Sequence, residues 1–410
     1  MATVMPPVGW ETDAFDQCTN GGGTTVPQIL GNSAGAPSPG PWSAYFLSCQ
    51  ASATNTSSVY IQGVSGTTGG TALASAATLY VRFRFNLRMN AYPTGSEEFF
   101  RVDSATPAQK VVFRINTSGN IVAYNSNGTT VIATGTAVIP RNTWVVLQFK
   151  VGTGAGGVVE WKINGVTDVS TTASLLTTNS GRIYLGKVNN RNSSTVKFDY
   201  DDFIASDSAY PDVNGKVSIM RPSANGTYQQ WSIGAGSGSH YQCVDDLGSA
   251  DAEYLLSPAI ALNYDTQYVS DIGDGPLNNI YSKFNIAYQI NNITALIMAK
   301  RNGASNANVI LRFRTGSTDY DLSSGLSVGT GYTAIHRFFD THPGRSTAWD
   351  ITDLSDIQVG AGTGTSTQAR VNLMFAVVDW SSPDYNYMTN SGILLGGKTN
   401  NSGFKFKGRF

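Results

Sequence analysis

Charge is scarce in this chain. Lysine, arginine, aspartate and glutamate make up 13% of its 410 residues, about half the usual share. Long surface helices draw on those straight-chain charged residues, so few are expected. The 27 basic residues nearly balance the 28 acidic ones, which leaves no whole-chain field to attract nucleic acid or an anionic membrane. Cysteine is nearly absent: Cys18, Cys49 and Cys243 form no short-spaced pair, and no histidine lies close enough to complete a zinc knuckle. They read as buried thiols, with a Cys18 to Cys49 bridge left open by spacing alone. No apolar run approaches the roughly 18 residues of a membrane span. The opening stretch MATVMPPVGWETDAFDQ has neither the basic start nor the apolar centre of a signal peptide, so the expectation is a soluble protein made in the cytoplasm.

Glycine, serine, threonine and asparagine fill the polar positions, and the apolar residues alternate. In LYVRFRFNL, Leu79, Val81, Phe83, Phe85 and Leu87 share one face while Tyr80, Arg82, Arg84 and Asn86 share the other, which is a strand with one dry side. Val111, Phe113 and Ile115 repeat the pattern, as do Val145, Leu147, Phe149 and Val151. Val159, Trp161 and Ile163 lead into Asn164-Gly165, the dipeptide best suited to a tight hairpin. RIYLGKV and VKFDYDDFIA supply two more strands. The fold class read from this spacing is all-β: two antiparallel β-sandwiches of jelly-roll or concanavalin-like type in tandem. The first spans residues 1–204, the Pro/Gly-containing stretch 205–215 is the linker, and 216–410 is a second sandwich with a C-terminal tail. In that second half, ITALIMAK, NVILRFRTG and VNLMFAVV are strands, the last central, and GAGTGTSTQ at 360–368 is a loop.

Candidate chemistry is thin. Glu97 and Glu98 are adjacent, point to opposite faces of a strand, and read as a solvated strand start. Asp199, Asp201 and Asp202 sit in FDYDDFIASD. Asp199 and Asp201 would share a face and repel each other without a cation. An oxygen-rich calcium site is one reading, and caps on loop amides near a bulge are the other. His240, His336 and His342 are too scattered for a triad. Trp10, Trp42, Trp231 and Trp380 are candidates for stacking on a glycan or at an interface. The tail GGKTNNSGFKFKGRF alternates Phe404, Phe406 and Phe410 with basic residues, a pattern for adding an edge strand to its own sheet or to a neighbouring chain.

The stretch running from AFDQ through TWVVLQFKV, VVEWKINGVTDVS and RIYLGKV to FDYDDFIASD resembles the concanavalin-like (laminin-G-like) sandwich of tailed-bacteriophage structural proteins. GKVSIMRPSANGTYQQWS, YQCVDD, DTQYVSD and DTHPGRSTAWDITDLSDIQVG look like the second module of such proteins. The resemblance implies a non-enzymatic virion structural protein on the tail or head surface, assembled as a homo-oligomer with other virion proteins and touching host surface glycans. It transfers no catalytic residue and no cofactor beyond the calcium reading above. A carbohydrate-binding adhesin, or a concanavalin-fold polysaccharide hydrolase or lyase, is the alternative.

Overall fold

The computed structural model describes residues 3–8, 19–20, 27–31, 45–51, 56–62, 77–104, 110–125, 128–154, 156–173, 175–176, 180–188, 195–236, 238–245, 253–271, 288–322 and 325–381. They form an almost wholly β structure, with antiparallel ladders arranged in three sheets.

The eight-stranded sheet runs in the order Val166–Ala173, Gly157–Ile163, Trp144–Gly152, Thr78–Leu87, Val196–Ser206, Tyr45–Ala51 and Gln28–Gly31, with Thr3–Val8 also paired to Val196–Ser206. The seven-stranded sheet runs Val131–Val138, Asn120–Tyr124, Lys110–Ile115, Glu97–Ser104, Ser180–Lys187, Ser57–Gln62 and Thr19–Asn20. Alternation along each strand sends one side inward, and the two inner faces share one core. Leu79, Val81, Phe83, Phe85 and Leu87 are all fully buried there. Phe149 is the hub, with its ring 5.6 Å from Phe83, 4.6 Å from Phe100 and 4.6 Å from Phe113. Each such side chain contributes roughly 1.5–3 kcal/mol by leaving water. The expected hairpin closes through Asn164 and Gly165 at φ of 50° and 81°, both in the left-handed region that a two-residue turn of this type requires.

The eleven-stranded sheet is built from strands beginning at Lys216. Ala369–Ser381 lies in its middle, paired to Gln289–Arg301 on one side and to Lys216–Gln229 and Tyr254–Leu256 on the other. A second core gathers Phe313, Phe339, Trp349, Met374 and Trp380. One expectation fails here. Residues 360–363 are not loop but the end of strand Ile357–Thr363, paired to both Tyr264–Asp271 and Ala307–Thr315. The glycines that look like turn residues are needed for close packing instead: a Cβ on Gly362 would collide with the Tyr264 ring.

No strand is shared between the first two sheets and the third. Residues 207–215 run between them and are held to the first sheet. Gln148 Nε2 donates to Pro211 O at 2.7 Å, Arg82 Nη1 to Asp212 O at 2.8 Å, and the Tyr210 hydroxyl to Glu160 at 2.9 Å.

Candidate functional site

Asp199, Asp201 and Asp202 lie on the outer face of the eight-stranded sheet, at or near 0% exposure, and the sheet itself supplies cations for Asp199 and Asp202. Asp199 accepts from Ser48 Oγ at 2.7 Å and Asn86 Nδ2 at 3.2 Å, and pairs with Arg88 Nε at 3.0 Å. Burial pushes its carboxyl above the ordinary range, against the pull of Arg88. Past Asp201 the ladder with Thr78–Leu87 slips, and Asp202 takes φ of 50°, as a bulge requires. That turn aims one Asp202 oxygen at Val217 N, 2.7 Å away, and the other at Arg84 Nε, 2.5 Å away. Asp201 accepts from the Asp202 amide at 2.9 Å. The calcium reading is therefore corrected: guanidinium groups on the neighbouring strand neutralise the charge, and no three acids converge on a metal position among the described residues. Arg82, on the same face, donates to the Asp202 carbonyl and reaches Asp379 in the third sheet at 3.1 Å, with neither side chain exposed.

The tryptophan reading is corrected as well. Trp231 is 4% and Trp380 0% exposed, and both belong to the second core, so neither ring can stack on a glycan. Trp380 Nε1 donates to Ser218 Oγ at 2.9 Å, the partner a buried indole needs. Trp10, Trp42, Cys18, Phe404, Phe406 and Phe410 lie outside the described residues. Each histidine has its own setting. His240 Nδ1 meets Asp265 Oδ2 at 2.8 Å, His336 packs beside Phe338, and His342 lies against Trp349. Burial raises Asp265 to about 6.

Glu97 and Glu98 are not a solvated strand start. Glu97 is 1% exposed and pairs with Lys187 at 3.2 Å. Glu98, 2% exposed, turns to the opposite side and faces Arg101 at 3.5 Å. That side is the outer face of the seven-stranded sheet, which holds a concentration of charge that the sequence reading missed. Cross-strand register places Tyr184, Arg101, Val112 and Tyr124 in one row over four strands, a span of ~14 Å at normal strand spacing. Arg182, Asp103 and Lys110 form the next row on one side, and Glu98, Arg114 and Val122 the row on the other.

The two arginines lie flat on tyrosine rings, Arg101 over Tyr184 and Arg114 over Tyr124, each 4.1 Å from the ring centre. Arg101 also grips Asp103 through two contacts of 2.7 and 2.9 Å. Burial raises the Asp103 carboxyl, and Arg101 opposes the rise. Arg114 Nη2 donates to Gly128 O at 2.7 Å. Stacking fixes each guanidinium plane and lowers the entropy lost when it grips a planar anion. Among the described residues, Arg101, Lys110, Arg114 and Arg182 stand against Glu98 and Asp103 on this face, an excess of positive charge in a protein whose net charge is −1.

No protein-family model and no curated protein matches the chain. Among solved structures it is similar to the cellulose-induced protein Cip1, at 11% identity and a TM-score of 0.34, over 48% of this chain and 92% of that one. It is similar also to an endo-β-1,4-glucuronan lyase from the fungus Trichoderma reesei, at 10% identity and a TM-score of 0.33, over 44% and 87%. A third is the alginate lyase Aly36B, at 10% identity and a TM-score of 0.30, over 52% and 100%. A likeness at this level concerns the fold alone. The expectation of a non-enzymatic protein finds no support among them: two of these three structures are polysaccharide lyases.

Proposed function

We propose that the chain binds an acidic polysaccharide along the outer face of the seven-stranded sheet. The observation that carries this reading is the row Tyr184, Arg101, Val112, Tyr124 with Arg114 beside it, in which two guanidiniums lie over tyrosine rings in net positive surroundings; at 7%, 6% and 8% exposure Arg101, Arg114 and Tyr184 offer a bound chain only their edges. Arg101 already holds Asp103 through Nε and Nη2, so what this face offers a uronate carboxylate is its net positive charge, with Lys110, Arg114 and Arg182 ranged beside that pair. The test is a titration with a polyuronate. Arg101→Lys keeps the charge that Glu98 and Asp103 need but loses the planar fork and the stack, so binding should weaken while the fold is kept.

The same groups favour a second reading, cleavage of the bound chain by elimination. An arginine neutralising a uronate carboxylate acidifies the adjacent C5–H; a tyrosine oxygen takes that proton, the C4–C5 double bond forms as the C4–O4 bond breaks, and the departing O4 takes a proton back from the same tyrosine, leaving an unsaturated sugar. Ultraviolet absorbance of that product would report it, and Tyr184→Phe should abolish it if Tyr184 is the group concerned. Membership of a virion, and self-association there, form a separate proposal resting on the motif resemblance. It requires the protein at fixed copy number in purified particles.

A further inference from the structure

The third sheet carries a cavity of about 590 Å³ between the turn joining Ala307–Thr315 to Thr318–Asp321, the 342–345 loop and the short 3-10 helix Ile351–Asp356. It lies within the size range of small-molecule sites. Its lining residues are polar or glycine, but they present polar and apolar surface in near-equal measure. His342 is 8% exposed, and its Nδ1 accepts the Gly344 amide at 3.1 Å. With Nδ1 accepting, the donor the ring offers is Nε2–H. Tyr320 packs its ring on the core beneath and brings its hydroxyl up to Gly344, where a Cβ would stand 2.5 Å from it. Arg345 is clamped to Asp353 by two contacts, and Asp353 in turn accepts the Asp350 amide at 2.8 Å, so the guanidinium is held by a carboxylate that is itself fixed. Asp356 adds a second carboxylate and Thr352 a hydroxyl to the same wall.

We infer that this cavity is a second carbohydrate site, for a neutral sugar with vicinal hydroxyls. Each sugar hydroxyl both donates and accepts, so a site for it must supply both roles at short range. Asp356 accepts, as does the Thr352 hydroxyl, whose own proton goes to Asp350 at 2.7 Å; the His342 Nε2–H and Arg345 donate, and the Tyr320 hydroxyl does either. A uronate is disfavoured, because two carboxylates face one guanidinium here. That is the opposite balance to the seven-stranded sheet, so the two sites would take different parts of a glycan, or different glycans. The inference stands whether or not the polyuronate reading holds.

The test uses the full chain and saturation-transfer NMR with glucose, galactose and mannose, and with glucuronate as the charged control. At least one neutral sugar should give a saturable signal. Asp356→Asn and Tyr320→Phe should each weaken it about tenfold or more, while Arg101→Lys on the other sheet leaves it unchanged. Tyr320→Phe removes only an oxygen, so an unchanged melting temperature separates lost binding from lost fold. Absence of a signal from all three sugars, a glucuronate signal as strong as theirs, or a sugar signal indifferent to both cavity variants would each overturn the inference.

Discussion

Removing Arg82 probes how the first and third sheets are held together. Arg82 and Asp379 meet at 3.1 Å with neither side chain exposed. Burial, opposed by Arg82, raises the Asp379 carboxyl from 3.8 to about 6. Keeping a carboxyl so raised in its ionised form costs the fold on the order of 3 kcal/mol. The sign follows from the raised value. The folded protein holds the proton more tightly than the unfolded chain does, so the stabilisation from that proton is complete below about pH 4 and is lost as pH rises through about 6, where the cost of the ionised carboxyl takes over. Arg82→Met leaves the carboxylate buried without its cation, which costs roughly 3–5 kcal/mol where Asp379 is charged. At about pH 5 the carboxyl can take a proton instead, and only the pH-independent bonds from Arg82 to the Asp202 and Asp212 carbonyls are lost. Urea unfolding of both proteins, followed by circular dichroism at about pH 5 and pH 8, should show the variant losing about 2 kcal/mol more at the higher pH. Asp379→Asn should flatten the wild-type pH dependence between those points. Equal losses at both pH values would refute the reasoning.

Four further outcomes are expected. EDTA should leave the melting temperature unchanged, because guanidiniums and not a metal neutralise Asp199 and Asp202. Trp380→Ala should destabilise by about 3–5 kcal/mol, since the ring is core rather than binding surface. Lys187→Met should cost a similar amount, about 3–5 kcal/mol, by leaving Glu97 buried beside a lost cation; an exposed strand start would show a change of less than about 0.5 kcal/mol. We also propose that the chain comprises two folding units meeting at residues 205–215, which requires residues 1–204 and 216–410 to yield soluble, cooperatively melting proteins when expressed apart.

Strands were legible wherever one face is dry. Leu79 to Leu87 alternates so regularly that its inner and outer sides can be named from sequence, and Asn164-Gly165 marks a hairpin because few other dipeptides tolerate both φ angles. The glycines at 360 and 362 misled for a related reason: a residue that frees the backbone for turns is also the residue that lets a tyrosine ring lie against a strand. The site was harder to see. Arg101, Arg114, Tyr124 and Tyr184 are far apart in sequence, on four strands, and meet only through register. One signal was available: EEFFRVDS places three acids and an arginine in an eight-residue strand of a charge-poor chain. Glu97 and Glu98 nevertheless read as solvated, because the cations that neutralise them come partly from other strands. The same blindness to cross-strand partners is what leaves calcium open, beside caps at a bulge, for the acids at 199–202, whose cations are Arg84 and Arg88 on and just beyond the adjacent strand.

The most direct test of the polysaccharide proposal is calorimetric titration of the wild-type protein and Arg101→Lys with a polyuronate, and with neutral dextran as the control. Saturable, salt-sensitive binding of the polyuronate is predicted, weakened by at least about tenfold, or roughly 1.4 kcal/mol, in a variant whose circular dichroism spectrum shows it folded at the titration temperature. Binding that is indifferent to Arg101→Lys, or dextran bound as tightly as the polyuronate, would contradict it.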